Sequence, residues 1–283
     1  MPYDNRAARG PVVADKPTIV ITGSRGNLGG KLASALQDRY SLRCLDVRGG
    51  DGVFAADLGS YDESWARQFR GAECVLHFAG APLPTTPWAH AHRGNIVATG
   101  NVLRASREHA VRRVIFASSN QIMAGYRFAD VPVTTQMPPS PLNPYAISKL
   151  FCEEAGRAFS AETGISFIAL RIGNILPAQN VPHPGMGIGI WGQQMWLSNR
   201  DFLDGVQAAI DVPGVPFAVL NLVSNNPGMR WDLSETKRVL GFFPKDGHVA
   251  IASAQDIAED DLARTARLVP GQWLDQRFQP LRG

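Results

Sequence analysis

Tyr145 and Lys149 are the two residues of this sequence whose types and spacing best suit acid–base chemistry. They lie four positions apart in a stretch of helical character, so a helix would place both side chains on one face. Tyrosine is a poor base at neutral pH because its ordinary pKa is about 10, but a neighbouring ammonium favours the phenolate and lowers that pKa. Ser119 follows an apolar strand and could hydrogen-bond the same reacting oxygen. The trio predicts a base that removes the proton of an alcohol, although such a pair alone is also compatible with an ordinary surface contact.

A glycine-rich turn joins a predicted strand to a predicted helix near the start of the chain. Residues 18–21 are apolar and β-branched, as in a buried parallel strand, and residues 31–36 have helical spacing. Between them, Gly23 permits a tight turn, Gly26 lets the backbone approach a pyrophosphate, and Gly29 lets helix and strand pack closely. The helix N-terminus adds free N–H groups. The pattern predicts a dinucleotide site, although alone it also fits an ordinary strand-turn-helix joint.

Asp46 supports the dinucleotide interpretation and bears on which dinucleotide is bound. It ends a second apolar strand, where the ribose hydroxyls of an adenosine would lie. A carboxylate there favours the free ribose diol and repels a 2′-phosphate. Arg25 and Arg48 point the other way, because either guanidinium could pair with a phosphate. Asp46 occupies the more diagnostic position, so the sequence favours NAD over NADP.

Strand-like and helix-like segments alternate along most of the chain, which predicts an α/β fold: a Rossmann-type doubly wound parallel sheet with a small C-terminal substrate lobe. We expect an N-terminal tail over residues 1–16, an NAD-binding domain over 17–173 and a mixed substrate-binding region over 174–283. The later predicted strands cover residues 42–45, 53–56, 73–80, 113–117, 166–171 and 217–223, and the later predicted helices cover 95–109, 145–163, 199–210 and 233–240, with Ser198 and Ser234 as helix caps.

Composition narrows the class of protein further. The chain has 283 residues, a net charge of +3 and no Lys/Arg run, so neither a nucleic-acid patch nor a membrane patch is expected. No apolar stretch is long enough to span a bilayer, and the polar start does not resemble a signal peptide. Cys44, Cys74 and Cys152 lack metal-ligand spacing, so we expect reduced core thiols, no metal site and a cytoplasmic location.

Taken together, these motifs resemble the extended short-chain dehydrogenase/reductase superfamily, in its NAD-dependent epimerase/dehydratase group. The resemblance rests on residues 22–29, Asp46, residues 57–58, Ser118-Ser119, the Tyr145-x-x-x-Lys149 pair and residues 171–174. It implies a homodimer formed through the two long helices that begin near Asn95 and Tyr145. Tyr145 would be the catalytic base, aided by Lys149 and Ser119. The cofactor-binding residues that it implies are Gly23, Gly26, Asn27, Leu28, Gly29, Asp46, Arg48, Asp57, Leu58, Phe78, Ala79, Gly80, Tyr145, Lys149 and Ile172.

Two finer features are similar to the uronate dehydrogenase branch of that superfamily. One is the run Ser118-Ser119-Asn120-Gln121, and the other is Trp196-Leu197-Ser198-Asn199-Arg200-Asp201-Phe202. This resemblance implies hydride transfer from C1 of a free cyclic sugar to the nicotinamide, which yields a lactone. The substrate-binding residues expected here are Ser119, Asn120, Gln121, Pro82, Asn174, Trp191 and Gln193.

The sequence departs from that branch where a substrate carboxylate would bind. Trp191 stands about where the uronate enzymes carry an arginine, and Gln121 replaces a histidine. The carboxylate clamp is therefore missing, so Trp191 could stack on a sugar face or simply pack under a loop. Gln193 could serve a neutral hydroxyl. Arg171, Arg200 and His183 are the remaining candidates for an anion site.

Two other functions fit the same cofactor half. A sugar-nucleotide epimerase or dehydratase would need cations for a diphosphate, but Arg200 is the only Lys or Arg between Gly173 and Phe217. Dehydratases also usually place an acidic pair after the serine, where this chain has the neutral Asn120 and Gln121. A non-catalytic NAD-binding scaffold would not need the Ser119, Tyr145 and Lys149 trio. A sugar dehydrogenase that acts at C1 is therefore favoured.

Overall fold

Seven parallel strands form one sheet in this computed structural model, which describes residues 16–184 and 186–258. The spatial order is β3-β2-β1-β4-β5-β6-β7, so the direction of winding reverses between β1 and β4. This confirms the predicted doubly wound sheet. The strands are Thr18–Thr22 (β1), Ser41–Asp46 (β2), Val53–Ala55 (β3), Cys74–His77 (β4), Arg113–Ser119 (β5), Ser166–Ile172 (β6) and Phe217–Leu222 (β7).

Helices cover both faces of the sheet. They are Asn27–Leu36 (α1), Glu63–Ala66 (α2), Trp88–Ala91 (α3), Ala98–Glu108 (α4), Pro144–Thr163 (α5), Gly189–Gln194 (α6), Asn199–Asp211 (α7) and Ser234–Leu240 (α8). Single-turn or irregular helical segments span Arg67–Phe69, His92–Val97 and Asn120–Tyr126. A short helical stretch over 254–258 ends the described part of the chain.

Successive side chains of each strand point to opposite faces of the sheet, so the core has two layers. Ile19 and Ile21 of β1 face α1 and α7, where they pack with residues such as Leu32. Val20 points to the opposite face and joins Val102 of α4 there. Both faces of a parallel sheet are buried, which is why its strands are almost continuously apolar in sequence.

A third apolar cluster lies beside the carboxyl ends of β5 to β7. It includes Ile122, Met123, Val133, Trp191 and Trp231, and it fixes the segments that follow β5 and β6. This cluster has no counterpart in the sequence expectations, because its members come from loops and from the short helix α6.

Several predicted boundaries move in the structure. The strand expected over 73–80 ends at His77, so Phe78 to Gly80 leave the sheet. The first part of the helix expected from Asn95 forms a π-helical turn. Ser198 does cap α7, but Ser234 is the first residue of α8, and its N–H is bound by Asp232 instead.

The region expected to form a substrate lobe also completes the sheet. Strand β7 pairs with β6, and α7 packs on the face that α1 covers. Residues 1–15, which make up most of the expected tail, and residues 259–283 lie outside the described residues. Cys44, Cys74 and Cys152 are all free thiols. Over the part of the chain that the structure describes, no helix has both the length and the apolar character needed to cross a bilayer.

Candidate active site at the carboxyl edge of the sheet

A crevice of about 890 Å³ opens at the carboxyl ends of the strands, where the winding reverses. In open α/β sheets this is the place where ligands bind. The structure brings most of the predicted site residues together here. They are Gly23, Gly26, Asn27, Leu28, Gly29, Asp46, Asp57, Leu58, Phe78, Ala79, Gly80, Pro82, Ser119, Asn120, Gln121, Tyr145, Lys149, Ile172 and Asn174.

The glycine-rich turn is so tight that two of its glycines admit no side chain. Gly23 has a φ of +71°, and a Cβ on it would lie 2.7 Å from the backbone of Ala79. A Cβ on Gly29 would lie 2.1 Å from the carbonyl oxygen of Gly23. The turn therefore packs closely against the segment that follows β4, and the first residues of α1 line the crevice. No side chain caps this helix and no acid lies in its first turn, so the donor set fits a dinucleotide pyrophosphate.

Asp46 and Asp57 border the part of the crevice next to β2 and β3. The Asp46 carboxylate accepts hydrogen bonds from the backbone N–H of Arg25, at 3.0 Å, and of Arg48, at 3.3 Å. Asp57 pairs with Arg93 at 2.5 Å and accepts the N–H of Gly59. The hydrogen bond from Arg93 lowers the pKa of Asp57. Both carboxylates line the crevice and can accept hydrogen bonds from an adenosine.

Ser119, Tyr145 and Lys149 come together where β5 meets α5. Ser119 ends β5, and α5 begins at Pro144, with the Asn143 side chain capping its first turn through Ala146 N–H at 2.8 Å. Proline at the first helical position and asparagine at the cap both favour a helix start here. Lys149 donates to the carbonyl oxygen of Ala117 at 2.7 Å. All three side chains are more than nine-tenths buried but line the crevice.

The pKa of Tyr145 differs from the sequence expectation. Burial raises it above its ordinary value, and a hydrogen bond from the Ser119 hydroxyl partly opposes that rise. Lys149 lies 5.8 Å from the centre of the tyrosine ring and loses solvation itself, so burial lowers its pKa to about 8. Burial is the largest influence on the pKa of Tyr145, and the lowering expected from the ammonium is not seen. The positive charge of an oxidised nicotinamide would act in the direction that favours the phenolate.

The Ser119 hydroxyl also contacts a neighbouring backbone group. Its oxygen accepts the N–H of Gln121 at 3.2 Å, which leaves the hydroxyl proton available for the phenolic oxygen. We therefore expect the kcat/KM for substrate oxidation to rise about tenfold per pH unit below the pKa of Tyr145, as loss of a single proton requires. Ser119→Ala removes a hydrogen bond that lowers this pKa, so the rising limb should move to higher pH.

The pH profile of initial rates, at saturating cofactor, checks this expectation. Ser119→Thr keeps the hydroxyl and is the matched control. The rising part of its pH profile should lie at nearly the same pH as that of the unmodified protein. A Ser119→Ala limb at the unchanged pH would contradict the assigned hydrogen bond.

Asn120 carries an unusual polar side chain at the edge of the crevice. It is only 1% exposed, yet neither its Oδ1 nor its Nδ2 has a hydrogen-bond partner among the described residues. A buried amide without partners costs free energy, typically about 1–3 kcal/mol for each unsatisfied group. Because Asn120 also lines the crevice beside Ser119, its amide is suited to hydrogen-bond a ligand there.

The segment after β6 closes the crevice from the side of α1. Asn174 pairs with Met195 and Leu197 through backbone hydrogen bonds. Asn27 donates from its side chain to the carbonyl oxygen of Ile175 at 3.1 Å, which links the glycine-rich turn to this segment. The loop therefore covers the region where the turn presents its N–H groups.

Three predicted site residues do not line the crevice. Trp191 packs on Trp231 with ring centres 4.3 Å apart, inside the third apolar cluster. Gln193 is fully buried and bonds the backbone of Ile251 with both ends of its amide. Contrary to the expected substrate contacts, Trp191 packs in the apolar cluster and Gln193 holds the backbone of Ile251. Arg48 points to solvent, and only its backbone N–H serves the site, through Asp46.

The candidate anion-site residues are likewise engaged elsewhere. Arg171 forms a buried pair with Glu153, with nitrogen–oxygen distances of 3.0 and 2.7 Å. Arg200 pairs with Asp246. His183 bonds the carbonyl of Pro184. None of the three lines the crevice as the described residues define it.

The Trp196–Phe202 signature acts as a structural joint. Ser198 caps α7 and also bonds Asp246 at 2.6 Å. Asp201 is fully buried and accepts three hydrogen bonds, from Ser224 and from the N–H groups of Lys245 and Asp246. The signature thus ties α7 to the loops that follow β7.

Two positioning residues were missed by the sequence analysis. Asn95 is buried in the π-helical turn, accepts the N–H of Ala81 at 2.8 Å and donates to Ser148 of α5 at 2.8 Å. Asn180 accepts the N–H of Leu176 at 2.7 Å and donates to the carbonyl oxygen of Leu197 at 2.7 Å. A single asparagine in a helix or loop carries no spacing signal, so only its partners reveal the role.

The strand order, the glycine-rich turn at the reversal point and the Asp46 carboxylate define a dinucleotide-binding α/β protein. The family model for the NAD dependent epimerase/dehydratase family matches residues 19–187, and the chain belongs to this family.

Curated relatives and solved structures agree with that assignment. The chain is 30% identical to an L-arabinose 1-dehydrogenase (NAD(P)(+)) of Haloferax volcanii, over 82% of this chain and 98% of the relative. It is 28% identical to a uronate dehydrogenase of Pseudomonas syringae pv. tomato, over 86% of this chain and 88% of the relative. A solved uronate dehydrogenase of Agrobacterium tumefaciens has the same fold, with a TM-score of 0.69, 23% identity and 88% coverage of each chain.

Proposed function

We propose that this protein is an NAD-dependent sugar dehydrogenase that oxidises C1 of a free cyclic monosaccharide to the lactone. The observation that carries the proposal is the buried, unpartnered Asn120 amide beside Ser119 and Tyr145. A sugar ring presents adjacent hydroxyls, which can occupy an amide and an acid–base group at the same time. The similarity to an L-arabinose 1-dehydrogenase and to a uronate dehydrogenase supports the same reaction class.

Each residue of the trio has a distinct task in this reaction. Tyr145 takes the proton of the C1 hydroxyl as general base. Ser119 lowers the pKa of Tyr145 and can hydrogen-bond the substrate oxygen. Lys149 places a protonated amine beside both groups below a pH of about 8. NAD, when bound by the glycine-rich turn and Asp46, supplies the hydride acceptor.

The charges of the crevice favour a neutral sugar within the class of hexoses, hexuronates and C6-modified hexoses. Arg93 and Lys149 are the cations among its described lining residues. Arg93 pairs with Asp57, and Lys149 donates to Ala117. The uncharged side chains near the end of β6 are those of Asn174, Ile175, Leu176, Met186, Ile188 and Met195.

Production of NADH from a panel of free sugars tests the function. The panel contains pentoses, neutral hexoses, 6-deoxyhexoses and hexuronates. We expect turnover of at least one neutral sugar with NAD. If no free sugar yields NADH but a sugar nucleotide is turned over, the result would instead favour an epimerase or dehydratase, the second function compatible with this family.

Asn120→Ala should raise the KM for the sugar about tenfold or more, since a hydrogen bond made to the substrate is lost. The KM for NAD should stay unchanged. Asn225→Ala, at an exposed position outside the crevice, is the matched control. An unchanged sugar KM in Asn120→Ala would remove the main support for the proposed substrate site.

Two further expectations belong to the same proposal. We propose a homodimer formed through α4 and α5, supported by Phe151, which lies on the outer face of α5 with 53% exposure. Light scattering should then report about twice the 30.7 kDa chain mass. We also propose a cytoplasmic location, supported by the three free thiols and testable by cell fractionation.

A further inference from the structure

The Arg25 side chain fills the turn that follows β2. Its Nε donates to the carbonyl oxygen of Arg48 at 3.0 Å, and its Nη2 donates to that of Gly50 at 2.6 Å. The same Nη2 lies 3.3 Å from the carbonyl oxygen of Gly49 and 3.3 Å from the Asp51 carboxylate. The guanidinium therefore directs its donors into the backbone of this turn.

The backbone of this turn adopts a tight conformation that the Arg25 hydrogen bonds stabilise. Gly50 and Val53 bond each other through both backbone groups at 3.0 Å, which closes a narrow loop. Gly50, Asp51 and Gly52 all have positive φ, and for Asp51 at +52° that conformation is strained. Its inward-facing carbonyl groups converge on Arg25, so this one cation satisfies several acceptors at once.

Asp46 is held by the same assembly. One of its oxygens accepts the N–H of Arg25 and the other accepts the N–H of Arg48, whose carbonyl oxygen in turn accepts the Arg25 side chain. The carboxylate lines the crevice, whereas the Arg25 and Arg48 side chains do not. The position of the negative charge thus depends on the contact between Arg25 and the turn.

We propose that Arg25 is a positioning residue that sets cofactor selectivity: it fixes Asp46 for a ribose diol instead of binding a 2′-phosphate. A 2′-phosphate would meet the fixed carboxylate, and the Nε and Nη2 donors of Arg25 are already engaged by the turn. The proposal concerns the dinucleotide and not the sugar, so it stands or fails independently of the substrate proposed above.

Equilibrium binding of NAD and of NADP, measured by calorimetry without any sugar, tests the proposal. We expect the unmodified protein to bind NAD about 100-fold more tightly than NADP, because like charges meet in the NADP complex. Arg25→Ala should weaken NAD binding about tenfold and NADP binding much less, so the ratio of NAD affinity to NADP affinity should fall. The NAD-to-NADP affinity ratio of Arg25→Lys should lie between those of the unmodified protein and Arg25→Ala, because one ammonium cannot satisfy all the carbonyl groups that the guanidinium contacts.

The double variant Asp46→Ala/Arg25→Ala separates positioning from a merely structural role. If Arg25 acts through Asp46, Arg25→Ala should change the NAD-to-NADP ratio little in the Asp46→Ala background. Arg39→Ala is the matched control, and its NAD-to-NADP ratio should stay unchanged because this exposed arginine pairs with Asp211 and does not line the crevice.

Three results would overturn the proposal. A selective loss of NADP binding in Arg25→Ala would identify a phosphate ligand. An equal loss of both cofactors would show a general structural role. An NAD-to-NADP ratio that narrows in Arg39→Ala as much as in Arg25→Ala would show that the effect is not specific to Arg25. If Arg25→Ala does not fold, as judged by thermal unfolding, Arg25→Lys answers the same questions.

Discussion

Tyr145→Phe should abolish sugar oxidation while NAD binding stays nearly unchanged. The substitution keeps the aromatic ring and removes only the oxygen that takes the proton. General-base catalysis typically contributes a factor of about 10²–10⁴, so kcat should fall by that amount. Initial rates of NADH formation, with calorimetric NAD binding measured in parallel, check both parts.

The matched control is Tyr40→Phe. The Tyr40 ring is also buried, and its hydroxyl bonds Asp211 and Gln207, away from the crevice. Its loss should leave kcat within about twofold of the unmodified protein, as for a site remote from chemistry. A Tyr145→Phe variant that retains kcat would exclude Tyr145 as the base, whereas a loss of NAD binding would point to a disturbed cofactor site.

The second large effect is expected from Glu153→Ala, because this change leaves a buried guanidinium without its carboxylate. Glu153 and Arg171 are 1% and 4% exposed, and the pair is bidentate. Glu153 also accepts the Ser118 hydroxyl at 2.5 Å, so it joins α5, β5 and β6. Breaking one partner of such a pair typically lowers the free energy of unfolding by about 3–5 kcal/mol.

Urea denaturation measures this loss, and the chain offers a control one residue away. Glu154 pairs with Arg157 on the exposed side of the same helix. Glu154→Ala should cost less than about 1 kcal/mol, as exposed pairs do. If both variants lose a similar amount of unfolding free energy, the buried pair stabilises the protein no more than the exposed pair does.

The double variant Glu153→Ala/Arg171→Met should recover much of the stability, because it removes the unpaired charge as well. This non-additivity separates the cost of an orphaned charge from the cost of lost packing. Recovery of stability without recovery of activity would indicate that the pair also positions Ser118 and the neighbouring Ser119.

Local sequence patterns predicted the parts of the site that depend on short stretches of chain. The spacing of Gly23, Gly26 and Gly29 reports a turn whose backbone contacts allow no side chain, which the 2.7 and 2.1 Å approaches confirm for the first and third glycines. Ser198 was likewise recognisable as a helix cap, because capping involves residues only a few positions apart.

Residues assigned by their distance from a motif were less predictable. Trp191 and Gln193 precede the Trp196–Phe202 signature closely, but α6 rotates their side chains into the protein. The helix has only six residues and lies among glycines, so its sequence carries no clear periodic signal. Its direction is set by packing against Trp231, some forty residues later in the chain.

The sequence by itself determined the sheet, the dinucleotide-binding turn and the identity of the Tyr145, Lys149 and Ser119 trio, because each depends on periodicity or short spacing. Only the tertiary structure decided the state of those groups. Burial raises the pKa of Tyr145, and contacts across the fold tie Arg25 to the turn after β2 and Glu153 to Arg171. Desolvation and long-range pairing depend on which surfaces meet in space, and that information is not present in any single stretch of chain.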